Sequence, residues 1–275
     1  MELGYSEKVS LVYHDIFKFP LTKSDLAFWK PKFKLNISKL SFSKKGGYYF
    51  VEPHAGYIDT RLANESESLK KLTILNSFIR LFEKFPFILF VGITGSLAMK
   101  NASKNSDIDL MIISRKNRLW LTRLLLTIYL KVKHIKTRRP GSKSERNKLC
   151  FNLWLDEKSL NWTGGKNIYT AHEILQIKPV VNKEEIYQRF VSENSWYKAY
   201  WHDKRSLPVT YKTDRIESSL NVFDFLLDVF NFIAFVGQYL FMLSRMTTEK
   251  VNLNTAVFHP TDWSKIVKEK IGSTQ

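Results

Sequence analysis

The chain has 275 residues, 14% of them aromatic, and a formal net charge of +17. This length allows one large domain or two to three small ones, and the aromatic content excludes a disordered chain. The single cysteine, Cys150, excludes an intrachain disulfide and disfavours a cysteine-based zinc site. The positive charge favours polyanionic partners such as nucleoside triphosphates, RNA, DNA or an anionic membrane, although charge of this size also serves solubility.

Residues 1–55 are predicted to form a small module of their own. Apolar residues at helical spacing fall between Glu7 and Phe17, and a second short helix is expected after Thr22, which has the character of an N-cap. A basic third segment precedes two strand-like runs joined by the Lys-Lys-Gly-Gly turn at 44–47. Three short helices followed by a hairpin with a basic tip are typical of a winged helix, which often binds nucleic acid. A purely structural module is the alternative.

Residues 60–165 are predicted to form an α/β core with a mixed sheet. A long amphipathic helix over 60–86 precedes an apolar strand over 87–94, which leads into a Gly-Ser turn. The second strand, over 108–113, is followed by a leucine-rich helix over 119–132 and a basic connection. A third strand is expected over 149–155, so that strands and helices alternate.

Residues 166–275 are predicted to form a helical C-terminal domain, with helices over 171–177, 184–196 and 218–246. The longest apolar stretch runs from Val222 to Leu243 and carries four polar residues: Asp224, Asp228, Asn231 and Gln238. Such interruptions favour a buried helix over a membrane span, so we expect no stable membrane insertion. A helix that docks on a membrane or a partner is the alternative. The N-terminus has no secretion signal, and the cytoplasm is the expected location.

The most informative pattern is the turn Gly95-Ser96 followed, after a short loop, by Ser106-Asp107-Ile108-Asp109. Side chains alternate along a strand, so Asp107 and Asp109 are expected on one face, roughly 6–7 Å apart. The two carboxylates repel each other and need a cation, and a divalent ion such as Mg²⁺ or Mn²⁺ satisfies both with oxygen ligands. Backbone N–H groups at the Gly-Ser turn are expected to bind phosphate. Metal and phosphate together indicate nucleotide chemistry.

In this pattern, residues 87–155 resemble the DNA polymerase β-like nucleotidyltransferase superfamily, and the whole chain resembles bacterial nucleotidyltransferase-domain proteins. The resemblance implies that Asp107 and Asp109 ligate two Mg²⁺ ions, and that Gly95 and Ser96 bind the β- and γ-phosphates of a nucleoside triphosphate. It also implies in-line attack of a hydroxyl on the α-phosphorus. An Asp-x-Asp pair also occurs at solvated strand ends, which the nearby Gly-Ser turn disfavours.

Members of this superfamily usually carry a third carboxylate in the middle of the third strand, and here the polar residue at that point is Asn152. An amide can hydrogen-bond a ligand or offer an oxygen to Mg²⁺, but it cannot act as a general base. We therefore assign Asn152 to the catalytic set with Asp107 and Asp109. Glu173 and Glu249, from the helical region, are the acidic residues to test as a substitute base.

Basic residues around the core are the predicted partners of the triphosphate. Lys100 and Lys104 lie in the loop before the aspartate pair, and Arg138 and Arg139 fall in a turn that exposes two guanidiniums suited to phosphate oxygens. A solvated basic loop is the alternative for the arginines. His172 is expected to be structural, because no other ligand type stands at metal spacing from it.

The sequence therefore predicts an α/β (α+β) protein that transfers a nucleoside monophosphate from a nucleoside triphosphate to a hydroxyl with Mg²⁺. The acceptor is left open among RNA, a protein side chain and a small molecule, and RNA or DNA is a candidate partner of the basic surface. The second hypothesis, which Asn152 supports, is a catalytically weakened nucleotide- or nucleic-acid-binding regulator on the same fold.

Overall fold

The structure is a computed structural model that describes residues 3–138, 144–162, 165–203, 205, 222–243, 246, 249–258 and 262–272. The N-terminal part contains a three-stranded antiparallel sheet of order β1-β3-β2. Its elements are α1 (Tyr5–Asp15), β1 (Leu21–Thr22), α2 (Lys23–Phe28), β2 (Phe42–Lys45) and β3 (Tyr48–Val51). Thr22 caps α2 as predicted, because its hydroxyl accepts the Asp25 N–H at 3.2 Å while the Asp25 carboxylate accepts the Thr22 N–H at 2.9 Å.

The third helix expected in this module is not formed, and that prediction is wrong. Residues 29–41 contain no helix, because their backbone pairs with a distant segment instead. Lys32 N–H donates to Tyr200 O at 2.8 Å, and His202 N–H donates to Lys30 O at 2.9 Å. Pro31 forms a bridge with Trp201 between these two bonds. The predicted hairpin is present, with Gly46 and Gly47 in its turn.

The core contains a six-stranded mixed sheet of order β7-β4-β5-β6-β9-β8, in which β5 and β6 are parallel and the other neighbours are antiparallel. The helices before and within it are α3 (Tyr57–Asn76), α4 (Ile79–Lys84), α5 (Gly95–Ala98) and α6 (Leu119–Val132). Its first three strands are β4 (Ile88–Ile93), β5 (Ile108–Ser114) and β6 (Leu149–Asp156). The mixed α/β core is therefore confirmed, whereas the single helix predicted over 60–86 is split between α3 and α4 at Ser77 and Phe78.

The C-terminal region is less separate from the core than predicted, because it supplies three strands to the same sheet. These are β7 (Lys178–Asn182), β8 (Lys250–Val251) and β9 (Thr255–Val257). The helices of the region are α7 (Ile168–Gln176), α8 (Ile186–Glu193), α9 (Val222–Leu243) and α10 (Trp263–Gly272), with a 3₁₀ helix at Ser195–Ala199. The described part of 166–275 is mostly helical, as predicted, and also contains these three strands.

The two faces of the sheet bury different parts of the chain. Ile108, Leu110 and Ile112 of β5 pack in one apolar cluster with α4 and α6. Met111 and Ile113, which alternate with them, pack in the other cluster with α1, α7 and α8. The second face therefore brings the N-terminal part and the C-terminal helices together over the strand that carries the aspartate pair.

Helix α9 is not buried, so the expectation of a buried helix is wrong. It is the one helix of the described chain that is long and apolar enough to cross a membrane, and 11% of its most apolar window is buried. Its polar residues, which suggested burial, lie on the stripe that faces α6, together with Ala234, Phe235 and Met242, and its other apolar residues are mostly exposed. The stripe follows from the spacing of Asp224, Asp228, Asn231 and Gln238, which is close to whole helical turns.

Candidate active site

The register of β5 decides where the two aspartates point. Asp107, Asp109, Met111 and Ile113 alternate with the buried residues of the opposite face, so the two carboxylates lie on the face covered by α1 and α7. Asp107 is 6% exposed. The predicted shared orientation of the pair is what the structure has.

The Gly-Ser turn lies directly against the second aspartate. Thr94 N–H donates to Asp109 O at 3.0 Å, which holds the start of the turn beside the strand. Gly95 has φ +59°, and a Cβ at this position would lie 2.7 Å from Asp109 Oδ2. Only glycine is compatible with both the left-handed backbone and this close approach. The turn that is expected to bind phosphate is therefore in contact with a carboxylate that is expected to bind metal.

A bulge in β6 brings Asn152 to the same place. The pairing of β5 with β6 shifts between Leu110 and Met111, which pair with Phe151 and Leu153, so that Asn152 is the extra residue. Its amide Nδ2 donates to Asp109 Oδ1 at 2.8 Å, and its Oδ1 accepts from Thr94 Oγ1 at 3.4 Å. The third-strand position thus holds an amide that orients one carboxylate and adds no negative charge.

The electrostatics of the pair are unfavourable without a cation. Burial and the charge of Asp107 raise the pKa of Asp109 well above its usual range. Arg138 compensates Asp107 with a bond of 3.0 Å from its Nη1, and its Nε also contacts Glu145 at 2.9 Å. The arginine predicted to meet a triphosphate therefore pairs with Asp107, the member of the pair that does not contact the Gly-Ser turn.

The donor set fits a divalent cation. Ligand atoms of Asp107, Asp109 and Cys150 all lie within 4.8 Å of one another. Burial raises the pKa of the Cys150 thiol far above neutrality, so that it stays protonated and the carboxylates are the charged donors. Two carboxylates at this separation suit Mg²⁺ or Mn²⁺, which prefer oxygen ligands.

A cavity of about 570 Å³ opens beside these residues. Ser96, Asp109, Arg138 and Asn152 line one side of it. The other side is formed by side chains of α1, α7 and α10 and the segments next to them: His14, Phe17, Phe19, Tyr169, His172, Glu173 and Trp263. A pocket of this size, apolar with a few convergent polar groups, is suited to a small-molecule ligand.

Two carboxyl groups line this cavity among the described residues, that of Asp109 and that of Glu173. Burial, and then the charge of Asp109, raise the pKa of Glu173 to about 8, while hydrogen bonds from Tyr169 and Gln176 act in the opposite direction. Glu249, the other acidic residue chosen for testing, does not line the cavity. Of the two, the structure places Glu173 at the site.

His172, which was expected to be structural, forms a buried pair with His14. The two Nε2 atoms are 3.3 Å apart, and His14 Nδ1 bonds Ser10 O at 2.8 Å. A proton on His14 Nδ1 makes its Nε2 the acceptor of the His172 N–H, so both rings are satisfied while neutral. Burial lowers the pKa of both groups, that of His14 to about 4. Trp29 stacks on His172 with ring centres 4.0 Å apart.

Two features of the site were missed by sequence reasoning. The aromatic wall of Phe17, Tyr169 and Trp263 comes from segments far apart in the chain, with Phe17 packed on both other rings. Lys71 of α3, fully buried, braces the loop before Asp107 by donating to Ser106 O at 2.7 Å and to Asn147 Oδ1 at 2.9 Å. The buried residues of α3 are Ile58, Arg61, Ser68, Lys71 and Leu75, so the mixed polarity of this side gave no signal that Lys71 is buried.

The remaining predicted phosphate ligands lie elsewhere. Lys100 and Lys104 are exposed, and neither lines the cavity. Lys104 contributes its carbonyl oxygen to Lys71 at 3.5 Å. Arg139 lies outside the described residues. Of the basic residues predicted to bind the triphosphate, the structure brings Arg138 to the aspartate pair.

A comparison with protein families gives one match, to the family "Polymerase beta, Nucleotidyltransferase" over residues 76–144. No curated protein and no solved structure matches the chain. The matched segment contains β4, the Gly95-Ser96 turn, the aspartate pair and α6, and it includes the cavity-lining residues Gly95, Ser96, Asp109 and Arg138. Residues 76–144 of this chain are therefore similar to polymerase β-like nucleotidyltransferases, which supports an assignment at the level of the superfamily.

Proposed function

We propose that the protein is a nucleotidyltransferase that uses Mg²⁺ or Mn²⁺ to move a nucleoside monophosphate from a nucleoside triphosphate to a hydroxyl acceptor. One observation carries this proposal: Asp109 lies against the Gly95 turn at the wall of a ligand-sized cavity, and the carboxylate of Asp107 lies within 4.8 Å of it. The family match over the same residues supports it.

Each side chain of the site has a role in this chemistry. Asp107 and Asp109 would hold the divalent ion, which supplies neutralisation of the triphosphate charge and orientation of the reacting oxygens. The backbone of Gly95 and the Ser96 hydroxyl would bind phosphate oxygens, and Asn152 keeps Asp109 in one orientation. Arg138 would move between Asp107 and a phosphate oxygen, since its guanidinium can bind either. Positioning and charge neutralisation carry most of such a transfer.

The proton of the attacking hydroxyl needs an acceptor, and Asn152 cannot be one. Glu173 is the candidate because it lines the same cavity as Asn152 and Asp109. Glu173→Gln keeps the size and hydrogen bonding of the side chain and removes its basicity. We expect slower turnover with unchanged nucleotide affinity, and an unchanged rate would exclude Glu173 as the acceptor.

The direct test is transfer of label from α-phosphate-labelled nucleoside triphosphates to bulk RNA, protein and small-molecule hydroxyls, with Mg²⁺ or Mn²⁺. The variant that carries both Asp107→Ala and Asp109→Ala should lose transfer, and Glu83→Ala, which changes an exposed carboxylate on α4, should keep it. Transfer or pyrophosphate release that persists in the double variant would refute the proposal.

The hydrogen bond between Asn152 and Asp109 favours a second candidate function, that of a nucleotide-binding regulator that has lost turnover. In this case, nucleoside triphosphates would raise the melting temperature with Mg²⁺ present, and no product would form. Asn152→Asp discriminates between the two. Activity that increases in this variant indicates a weakened enzyme, and binding without product in both forms indicates a regulator.

We also propose that the N-terminal part binds RNA or DNA through the tip of its hairpin. Lys44 and Lys45 are exposed there and are positioned by the Gly46-Gly47 turn. Substitution of both lysines with alanine should weaken binding to a mixed-sequence duplex or single strand and reduce its salt dependence. Lys158→Ala, another exposed lysine, is the matched control. Equal binding by all three proteins would exclude the hairpin as a contact.

A further inference from the structure

The outward side of α9 contains no polar side chain. Every exposed residue of this helix is Val, Phe, Leu, Ile or Gly. The exposed fraction is 69% at Phe223, 64% at Phe225 and 67% at Phe241. These positions cover about half of the helix circumference, and the 22 residues of the helix extend over about 33 Å. A surface of this extent is not stable in water without a partner.

The opposite side of α9 is fastened to α6 by specific polar contacts. Arg118 pairs with both Asp228 and Asp224, the latter at 3.2 Å. Asn231 accepts from Trp120 N–H and Leu121 N–H, and Gln238 donates to Trp120 O at 2.9 Å. These bonds fix the rotation of α9, so its exposed apolar residues lie on the side opposite α6.

Helix α6 continues the same surface. Its exposed apolar residues are Leu125, Ile128, Tyr129 and Val132. Lys131 and Lys133 are exposed beside them at the end of the helix. We refer to the exposed apolar residues of α6 and α9 together as the apolar face.

The composition of the apolar face indicates which kind of partner covers it. Interfaces between proteins carry about one hydrogen bond per 100–200 Å² and a polar rim, whereas the outward half of α9 has no side-chain donor or acceptor. A partner helix would also cover one stripe and leave the remainder in water. Lipid hydrocarbon needs no polar group and covers the whole half of the helix. The formal net charge of +17 is complementary to anionic headgroups.

We propose that α9 lies in the plane of an anionic lipid bilayer, with its outward half in the acyl region, and attaches the protein to the membrane surface. A spanning orientation does not agree with the contacts to α6. Leu119, Leu126 and Leu130 of α6 pack beneath the sheet, so a spanning α9 would have to release α6 or draw the sheet into the bilayer. This inference is independent of the proposed function, and it departs from the absence of membrane insertion expected from the sequence.

The first experiment measures flotation of the full chain with vesicles of phosphatidylcholine and phosphatidylglycerol (3:1), and with phosphatidylcholine alone. We expect binding to the mixed vesicles, weaker binding without the anionic lipid, and at least about 30-fold weaker binding for the variant Phe225→Ser/Phe232→Ser. The control variant Leu62→Ser/Leu69→Ser removes similar exposed apolar area from α3 and should bind like the wild type. Equal binding of the wild type and the Phe225/Phe232 variant would overturn the proposal.

The second experiment measures the depth of α9. A fluorophore is attached at Phe225→Cys, Phe232→Cys or Leu240→Cys in a Cys150→Ser background and is quenched by lipids brominated at known depths. The first and last labels are about 22 Å apart along the helix axis. An in-plane helix gives the same shallow depth for all three labels, and a spanning helix gives a deep middle label, which would overturn the proposal. Light scattering without lipid provides a second way to overturn the proposal. A wild-type dimer that does not float with vesicles, and that becomes monomeric in the Phe225/Phe232 variant, would show that a second copy covers the apolar face.

Discussion

Asn231 tests the orientation of α9 without any lipid. Its side chain is 3% exposed. Its Oδ1 accepts from Trp120 N–H at 2.9 Å and from Leu121 N–H at 3.0 Å, two amides of the first turn of α6. The first-turn amides of a helix have no partner within the helix, so Asn231 acts as a cap supplied by another helix.

The perturbation is Asn231→Leu, which keeps the size of the side chain and removes the acceptor. Each buried amide left without a partner lowers the free energy of unfolding by about 1–3 kcal/mol. For amides in the first turn of a helix, we expect a loss in the lower half of that range. We therefore expect the free energy of unfolding to fall by about 2–4 kcal/mol. Asn231→Asp keeps an acceptor and places negative charge at the positive end of α6, so it should differ from the wild type by less than about 1 kcal/mol.

The assays are urea unfolding at pH 7 and hydrogen exchange of the peptide that covers 119–132. In Asn231→Leu, exchange should increase at the first turn of α6, and in Asn231→Asp it should stay at the wild-type rate. A Leu variant as stable as the wild type, with unchanged protection in α6, would refute the docking of the polar stripe of α9 on α6. The argument for a fixed outward apolar face would fail with it.

Three further predictions concern the site and its supports. Asp109→Asn should raise the free energy of unfolding by about 2–4 kcal/mol at pH 8 in EDTA, because the raised pKa of Asp109 means that its ionised form destabilises the metal-free fold. The variant should also lose the Mn²⁺-dependent increase in melting temperature. A variant less stable than the wild type in EDTA would contradict this prediction. The pKa of His14 falls from 6.5 in the unfolded chain to about 4 in the folded one, so its contribution is present at pH 7 and is lost as the pH falls. Between pH 7 and 5 the wild type should therefore lose about 2 kcal/mol relative to His14→Gln in urea unfolding, and parallel curves would count against a buried neutral His14. Carboxyl groups with raised pKa values act in the opposite direction, but they are common to both proteins and cancel in the difference. Lys71→Met should lower the free energy of unfolding by about 2–3 kcal/mol and weaken nucleotide binding, because Ser106 O loses its donor next to Asp107. Lys70→Met, which changes an exposed position on the same helix, should leave both properties unchanged. Urea unfolding and nucleotide titration measure the two properties.

Much of the core followed from local patterns. The apolar runs of β4, β5 and β6, the leucine-rich α6 and the turn between them were predicted within one or two residues of their observed bounds. The period of two along β5 was sufficient to place Asp107 and Asp109 on one face, since alternation in a strand is a property of the backbone. The same local spacing also put the four polar residues of α9 on one stripe.

The sequence could not show what each of these surfaces meets, because the partners come from distant parts of the chain. The four polar residues of α9 were interpreted as a sign of burial, and their contacts on α6 reverse that conclusion. The third helix of the N-terminal part is absent because residues 30–32 pair with 200–202. The bulge at Asn152 and the arrival of Glu173 at the cavity depend on sheet register and on the packing of α7 over β5. Local periodicity determined which residues share a face; long-range pairing decided what covers each face, because that free energy comes from contacts between residues far apart in sequence.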